Sequence, residues 1–334
     1  MKAVGYQKSL PIEAADSLVD FEIAKPEPKG RDIRVAVKAI SANPVDYKVR
    51  KRAAPTDGGT KILGFDAAGV VEAVGPDVTG FAKGDRVMAF LTSGGMAEQV
   101  TVEAWRCHPL TAGIGFVEAA ALQMTYGTAL YGLQERGDLK AGETVLVLGA
   151  GGGVGLAAVE LAVAAGARVV AAASSAEKLA LARDRGAEGA VLYPATVGGD
   201  REAGRALAGA FKEAMPDGAD IVFDTVGGGY AEPALRTLAW GGRYLVVGFP
   251  AGIPSIPLNL TLLKSCDIRG VFWGAAVRRD PAAHHRAMDE LLALHARGAV
   301  KPPVADVLPL DRAGEAIARL SGRGVTGKLV LELA

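Results

Sequence analysis

The sequence predicts an α/β protein in two parts, a doubly wound parallel sheet set inside a compact, mostly antiparallel β unit. Three observations predict it. From Thr144 onward short apolar runs alternate with Ala-rich helical stretches, the sequence form of strands joined by crossover helices. The first of those runs leads into a glycine-rich turn. Before it, the chain shows short β runs broken by Gly, Pro and Asp, which are turn formers. A length of 334 residues also exceeds what one hydrophobic core usually serves, roughly 250 to 300 residues.

In chain order, the early β runs are Ile33–Ala39, Gly69–Val74 and Arg86–Phe90. The parallel strands are Thr144–Leu148, Arg168–Ala173, Ala190–Tyr193, Asp220–Asp224, Arg243–Val247 and Ile268–Phe272. Between the first two, Val154–Ala165 is a run of good helix formers closed by Gly166, as a C-terminal cap would close it. The tail predicts helices over Pro281–Ala296 and Arg312–Leu320 and a closing strand over Gly327–Leu333. That tail is too small to fold alone, so it should complete the first part. The expected division is residues 1–122 with 273–334 for one domain and 123–272 for the other.

Lys plus Arg and Asp plus Glu number 37 each, so no global field steers the chain toward nucleic acid or an anionic membrane. A small molecule is the expected partner. The opening segment lacks a charged stretch followed by an apolar run, and no run of about 20 apolar residues occurs, so the expected address is cytoplasmic. Cys107 and Cys266 stand alone; they exclude a disulfide framework and cannot make a four-thiolate metal site.

The turn after Thr144–Leu148 holds five glycines in GAGGGVG, Gly149 to Gly155. Backbone amides can approach a pyrophosphate there, and the following helix offers a positive N-terminus. Ala150, Gly152 and Gly155 keep the dinucleotide-binding spacing, with Ala at the first place; Gly151, Gly153 and Val154 complete the cradle. An NAD-type site usually carries an acidic residue at the end of the second strand, about 20 residues on. That strand ends instead in Ala171, Ala172, Ala173, Ser174, Ser175. Ser174 can donate a hydrogen bond to a 2′-phosphate and Lys178 can supply charge, which favours NADPH. Ser174 can equally cap the next helix, with Glu177 as its capping-box partner.

The motifs SANPVDYKVR from Ser41, GFDAAGVVEAVG from Gly64, FAKGDRV from Phe81, LQMTYGTALYGL from Leu122, FDTVGG from Phe223, GRYLVVGFPAG from Gly242 and PLNLTLLKSCDIRGVFWG from Pro257 resemble the medium-chain dehydrogenase/reductase superfamily. Within it, the chain is similar to the zinc-free quinone oxidoreductases related to zeta-crystallin. The resemblance implies a GroES-like, mostly β catalytic domain, an inserted Rossmann doubly wound parallel-sheet domain, a cleft between them, and a homodimer formed by edge pairing of Ile268–Phe272. In zinc-dependent members of the superfamily, a Cys ligand falls in the segment matching Ser41–Tyr47 and a His ligand in that matching Gly64–Asp66. This chain has Asn43 and Phe65 there. His108, His284, His285 and His295 lie outside those positions, the last three on a helix whose solvated face explains them. Without a Lewis acid an alkoxide is hard to make, so the expected reaction is reduction of an already electrophilic quinone or enone, which delocalises the incoming charge itself.

By the same resemblance Asn43, Asp46 and Tyr47 face the nicotinamide end. Asn43 also fits a polar turn before Pro44, Tyr47 either bonds the acceptor oxygen or packs, and Asp46 orients its neighbours. Thr125 resembles a nicotinamide contact, or caps its helix. Tyr193 matches a position near the 2′-phosphate, or packs. Gly248 and Phe249 end the fifth strand, and Phe272 and Trp273 the sixth, at the crevice where doubly wound sheets bind cofactors; core or dimer packing also explains Phe272 and Trp273. Two other functions stay open, an enoyl-CoA-type reductase and a non-catalytic NADPH-binding protein.

Overall fold

The computed structural model describes residues 1–6, 18–52, 60–197, 201–322 and 325–334; most of the opening segment used for the address thus lies outside it. The chain forms two compact units, Met1–Met124 with Pro302–Ala334, and Thr125–Lys301.

The first unit begins with β1 (Lys2–Tyr6), β2 (Val19–Glu22) and β3 (Asp32–Ser41), then α1 (Pro44–Arg52), β4 (Lys61–Ile62), β5 (Asp66–Val74), β6 (Arg86–Phe90), β7 (Gln99–Glu103) and β8 (Cys107–Pro109). β3 alternates: Ile33, Val35 and Val37 are buried and pack with Val71, Val87 and Met96, the period-two pattern of a half-buried strand. β3 and β5 pair antiparallel with register shifts. This brings Ser41, at the end of β3, to the start of β5 and the Asp66 carboxylate, which accepts its backbone N–H at 2.8 Å.

Helix α2 (Phe116–Leu130) carries the chain into the second unit. There follow β9 (Thr144–Leu148), α3 (Gly153–Ala164), β10 (Arg168–Ala173), α4 (Ala176–Asp184), β11 (Gly189–Leu192), α5 (Arg201–Ala214), β12 (Ala219–Asp224), α6 (Ala231–Arg236), β13 (Leu238–Val246), α7 (Asn259–Lys264), β14 (Asp267–Gly270), α8 (Trp273–Arg279) and α9 (Pro281–Ala296). The sheet order is β11-β10-β9-β12-β13-β14 and every pairing is parallel. Val145, Leu146, Val147 and Leu148 are fully buried, as a central strand covered on both faces requires. The sixth strand is shorter than its apolar pattern predicts. Its ladder stops at Val246↔Gly270 because β13 ends there; Val271 adds one bond to the Val246 carbonyl, and Phe272 then becomes the position preceding α8. Helices α8 and α9 belong to this unit, so residues 273–301 do not join the first unit as expected.

One buried carboxylate gathers both ends of this unit. Glu160 on α3 accepts the Tyr126 hydroxyl at 2.5 Å and the Lys301 backbone N–H at 3.0 Å on the same oxygen, while Arg185 pairs with the other. The chain then completes the first unit with β15 (Val304–Pro309), α10 (Ala313–Ser321) and β16 (Lys328–Glu332). β16 lies antiparallel against β3 through Val330↔Ser41 and parallel to β15. Among the described residues no helix is long and apolar enough to cross a membrane.

Candidate functional site

In the second unit the candidate site is the turn between β9 and α3. Gly149 takes φ +78°, and a Cβ there would fall 2.3 Å from Thr225 Oγ1. Gly152 sits at the N-cap of α3, and no side chain caps the helix, so its first amides stay available to an anion. The glycines of this turn have different causes. At Gly155 a Cβ would lie 2.1 Å from the Gly149 carbonyl oxygen, so close packing of the helix on the turn backbone excludes any side chain. At Gly152 the backbone is ordinary extended chain, φ −86° and ψ 162°; the residue is exposed, and the same oxygen would stand 3.5 Å away. The fold does not require a glycine there, whereas a group approaching from outside would. Ala150 is fully buried, while Gly153 and Val154 are partly so.

Lys178 crosses this turn. A Cβ on Gly151 would meet its Cβ and Cγ at 2.5 Å, so the lysine stem covers Gly151. Its backbone N–H is held by the side chain of Ser175, which caps α4 at 3.3 Å. The cap is therefore Ser175 and not Ser174: the extended residue before the helix falls one position later, its N3 partner is Lys178, and the capping box with Glu177 does not form. Ser174 is left exposed at the end of β10. Tyr193 is buried with its ring 4.8 Å from that of Tyr230. Burial pushes its hydroxyl well up, and that hydroxyl faces the Gly149 amide, so packing and nearness to the turn go together. Asp224, at the end of β12, escaped the sequence reading; it is buried and accepts the Val226 and Gly227 amides and the Tyr244 hydroxyl.

Thr125 is buried in α2, and Phe249 is exposed just beyond β13 next to half-buried Gly248. Phe272 and Trp273 part company. Phe272 is 73% exposed, whereas Trp273 is buried against Gly127, where a Cβ would come within 2.7 Å of the indole. Trp273 also stands edge-on to His284 at 5.7 Å. His284 is itself buried, so the solvated-face account fails for that histidine: it lies on the side of α9 that packs against α8. These residues border a cavity of about 780 Å³ that also includes Tyr131, Arg136 and Arg278.

In the first unit, Asn43, Asp46 and Tyr47 open α1, and the structure adds Ser41, Asp66 and Lys328. Asp46 accepts the Asn43 backbone N–H at 2.8 Å and the Gly64 N–H at 3.0 Å, so it ties the start of α1 to the entry of β5. The Asn43 carboxamide donates to the Ser41 carbonyl, the Ser41 hydroxyl and Asp66 and accepts from Lys328. Asn43 is thus spent on internal bonds. Tyr47 packs partly buried against the unit's core.

Burial pushes the Asp46 carboxyl up to about 7, against the pull of its two amides, with Asp66 adding to the rise and Lys328 opposing it. Burial likewise raises Asp66 and lowers Lys328 to about 8. A carboxyl raised on folding stabilises the fold fully below its unfolded pKa and loses that contribution as pH rises through the folded one. The native protein should therefore lose stability between about pH 4 and 7 relative to Asp46→Asn, by about 4 kcal/mol. Denaturant unfolding of both proteins at pH 4, 5.5 and 7 checks this; parallel pH dependences would refute it.

Comparison with known proteins bears on both units. Residues 153–293 match the zinc-binding dehydrogenase family and residues 29–112 the alcohol dehydrogenase GroES-like domain. Quinone oxidoreductase-like protein 2 of Bos taurus is 33% identical over 98% of this chain and 93% of its own. Quinone oxidoreductase of Mus musculus is 32% identical over 93% and 92%. The structure of Escherichia coli quinone oxidoreductase complexed with NADPH superposes with a TM-score of 0.89 at 27% identity, covering all of both chains.

Proposed function

Because the chain belongs to the medium-chain dehydrogenase/reductase superfamily, in its quinone oxidoreductase group, we propose that it is an NADPH-dependent, zinc-independent reductase of quinones or α,β-unsaturated carbonyls. The observation that carries the reading is the uncapped glycine turn with the Lys178 stem lying across it.

The residues present fit the dinucleotide. The turn amides and the α3 N-terminus would hold its pyrophosphate, and Lys178 with Ser174 would hold the 2′-phosphate where a carboxylate would repel it. When bound, NADPH supplies the hydride. Thr125 and the segment Asn43–Tyr47 would orient nicotinamide and acceptor, with the Tyr47 hydroxyl assisting the acceptor oxygen. Zinc independence rests on donor chemistry: Asn43 and Phe65 occupy the ligand segments, and among the described residues no three His, Cys, Asp or Glu side chains are placed to share a metal ion.

A second copy would cover the edge strand β14, which is last in the sheet order, carries exposed Ile268 and is followed by exposed Phe272; an open edge with exposed apolar side chains favours such pairing.

NADPH consumption with 1,4-benzoquinone, a short enone, an enoyl thioester and a simple ketone, and NADP+ reduction with a primary alcohol, each with and without strong chelator, tests the function. Rapid turnover of quinone or enone, unaffected by chelator, is expected. Efficient alcohol oxidation, a chelator-sensitive rate, or tight NADPH binding without any acceptor would overturn it.

A further inference from the structure

We propose that Lys328 is a positioning residue for this reduction, its ammonium fixing the Asn43 carboxamide and the Ala42 carbonyl, and with them the start of α1 on which Tyr47 stands. The inference rests on the reading that Asn43–Tyr47 serves the acceptor.

Its grounds are geometric. Lys328 opens β16, whose pairing with β3 ends at Val330↔Ser41, and the Ala42 N–H bonds the Leu329 carbonyl at 2.9 Å. Lys328 is thereby laid beside the point where the chain leaves β3 and turns into α1. It is 4% exposed, and its Nζ donates to the Ala42 carbonyl at 3.0 Å and to Asn43 Oδ1 at 2.6 Å. On the other side Asn43 Nδ2 donates to Asp66 Oδ2 at 3.0 Å. An ammonium only donates and a carboxylate only accepts, so the carboxamide between them has one possible orientation. The chain of Lys328, Asn43 and Asp66 is a charge pair bridged by an amide. Asp46 fixes the same turn from its other end through the Asn43 N–H.

An apolar side chain at this place in a buried strand would pack without the desolvation that an ammonium suffers. What the ammonium adds is a held carbonyl and a held carboxamide. Sequence reading could not find it, since Lys328 is 285 positions from Asn43 and reads locally as one lysine in an apolar strand.

The test uses the full-length protein carrying Lys328→Met, Asn43→Leu or both, with Lys328→Gln, which keeps an N–H donor, as the alternative should Met prevent folding. Amide hydrogen exchange reads the turn directly. The amides of Asn43, Asp46 and Gly64 should exchange at least tenfold faster in the Lys328 variant, while those of β9 and β10 stay unchanged. NADPH affinity should stay within twofold, kcat with 1,4-benzoquinone should fall tenfold or more, and the double variant should be no slower than the slower single one. Unchanged exchange at the turn, or faster exchange with unchanged kcat, would overturn the proposal while leaving the reductase reading intact. Weakened NADPH binding at unchanged kcat would reassign Lys328 to the cofactor. A native protein inactive toward every acceptor would instead remove the reductase reading, and the positioning role with it.

Discussion

Gly152→Val is expected to give a folded protein that no longer binds NADPH. Its backbone lies in a region every residue adopts, and the nearest atom of the chain would stand 3.5 Å from the new Cβ, an ordinary contact. The new Cβ meets no more than an ordinary contact inside the molecule. It does fill the space in front of the α3 N-terminus, where a pyrophosphate must come within hydrogen-bonding distance of backbone amides. Affinity should fall by at least about a hundredfold, or about 2.7 kcal/mol, with the melting temperature of the free protein within about 2 °C of native. Gly155→Val is the contrasting case: its Cβ would stand 2.1 Å from the Gly149 carbonyl oxygen, so stability should fall along with binding. Calorimetric titration and thermal unfolding of the two variants separate the causes. Undiminished NADPH binding by Gly152→Val would show that the cofactor does not lie on this turn.

The second large effect concerns the choice of cofactor. Lys178→Ala should weaken NADPH by about 1 to 3 kcal/mol, the scale of a charge-assisted hydrogen bond, and change NADH little. The NADH control is needed because the Lys178 stem also covers Gly151, and removing it uncovers the turn for either nucleotide. Equal losses for the two would mean that Lys178 serves the turn and does not read the phosphate. A rise in salt should shrink the NADPH effect, since a contact between a half-buried ammonium and a phosphate is partly screened.

How far the sequence reveals this molecule depends on how local each determinant is. β9 and β10 fall at Thr144–Leu148 and Arg168–Ala173 as their apolar runs predict, because continuous burial and flanking turn residues leave them little freedom. The sixth strand was overextended since Val271, Phe272 and Trp273 continue its apolar pattern, whereas a strand ends where its neighbour does, a fact about β13. Adjacent serines defeated the cap assignment: a shift of one residue replaces Glu177 with Lys178 as the partner, and both sequences of partners look acceptable. His284 needed knowledge of which face of α9 meets α8. The cluster of Ser41, Asn43, Asp66 and Lys328 was legible only in part. Three of its members sit in motifs recognisable by resemblance, but the fourth arrives through the pairing of β16 with β3, which no local pattern announces.

Glu160 has a consequence for how such a chain can fold at all. The first unit is written in two pieces, and Thr125–Lys301 stands between them. Were that stretch a slack tether, joining β16 to β3 would require closing a loop of well over a hundred residues. By binding Tyr126 and Lys301 on a single oxygen, Glu160 brings the tether's two ends together once the inserted unit has formed. The remaining search is then that of a loop of roughly a hundred residues where nearly three times as many stood before, which on logarithmic scaling recovers about 1 kcal/mol of chain entropy. The inserted sheet thus acts as a splice, cutting its own length out of the separation between two distant segments.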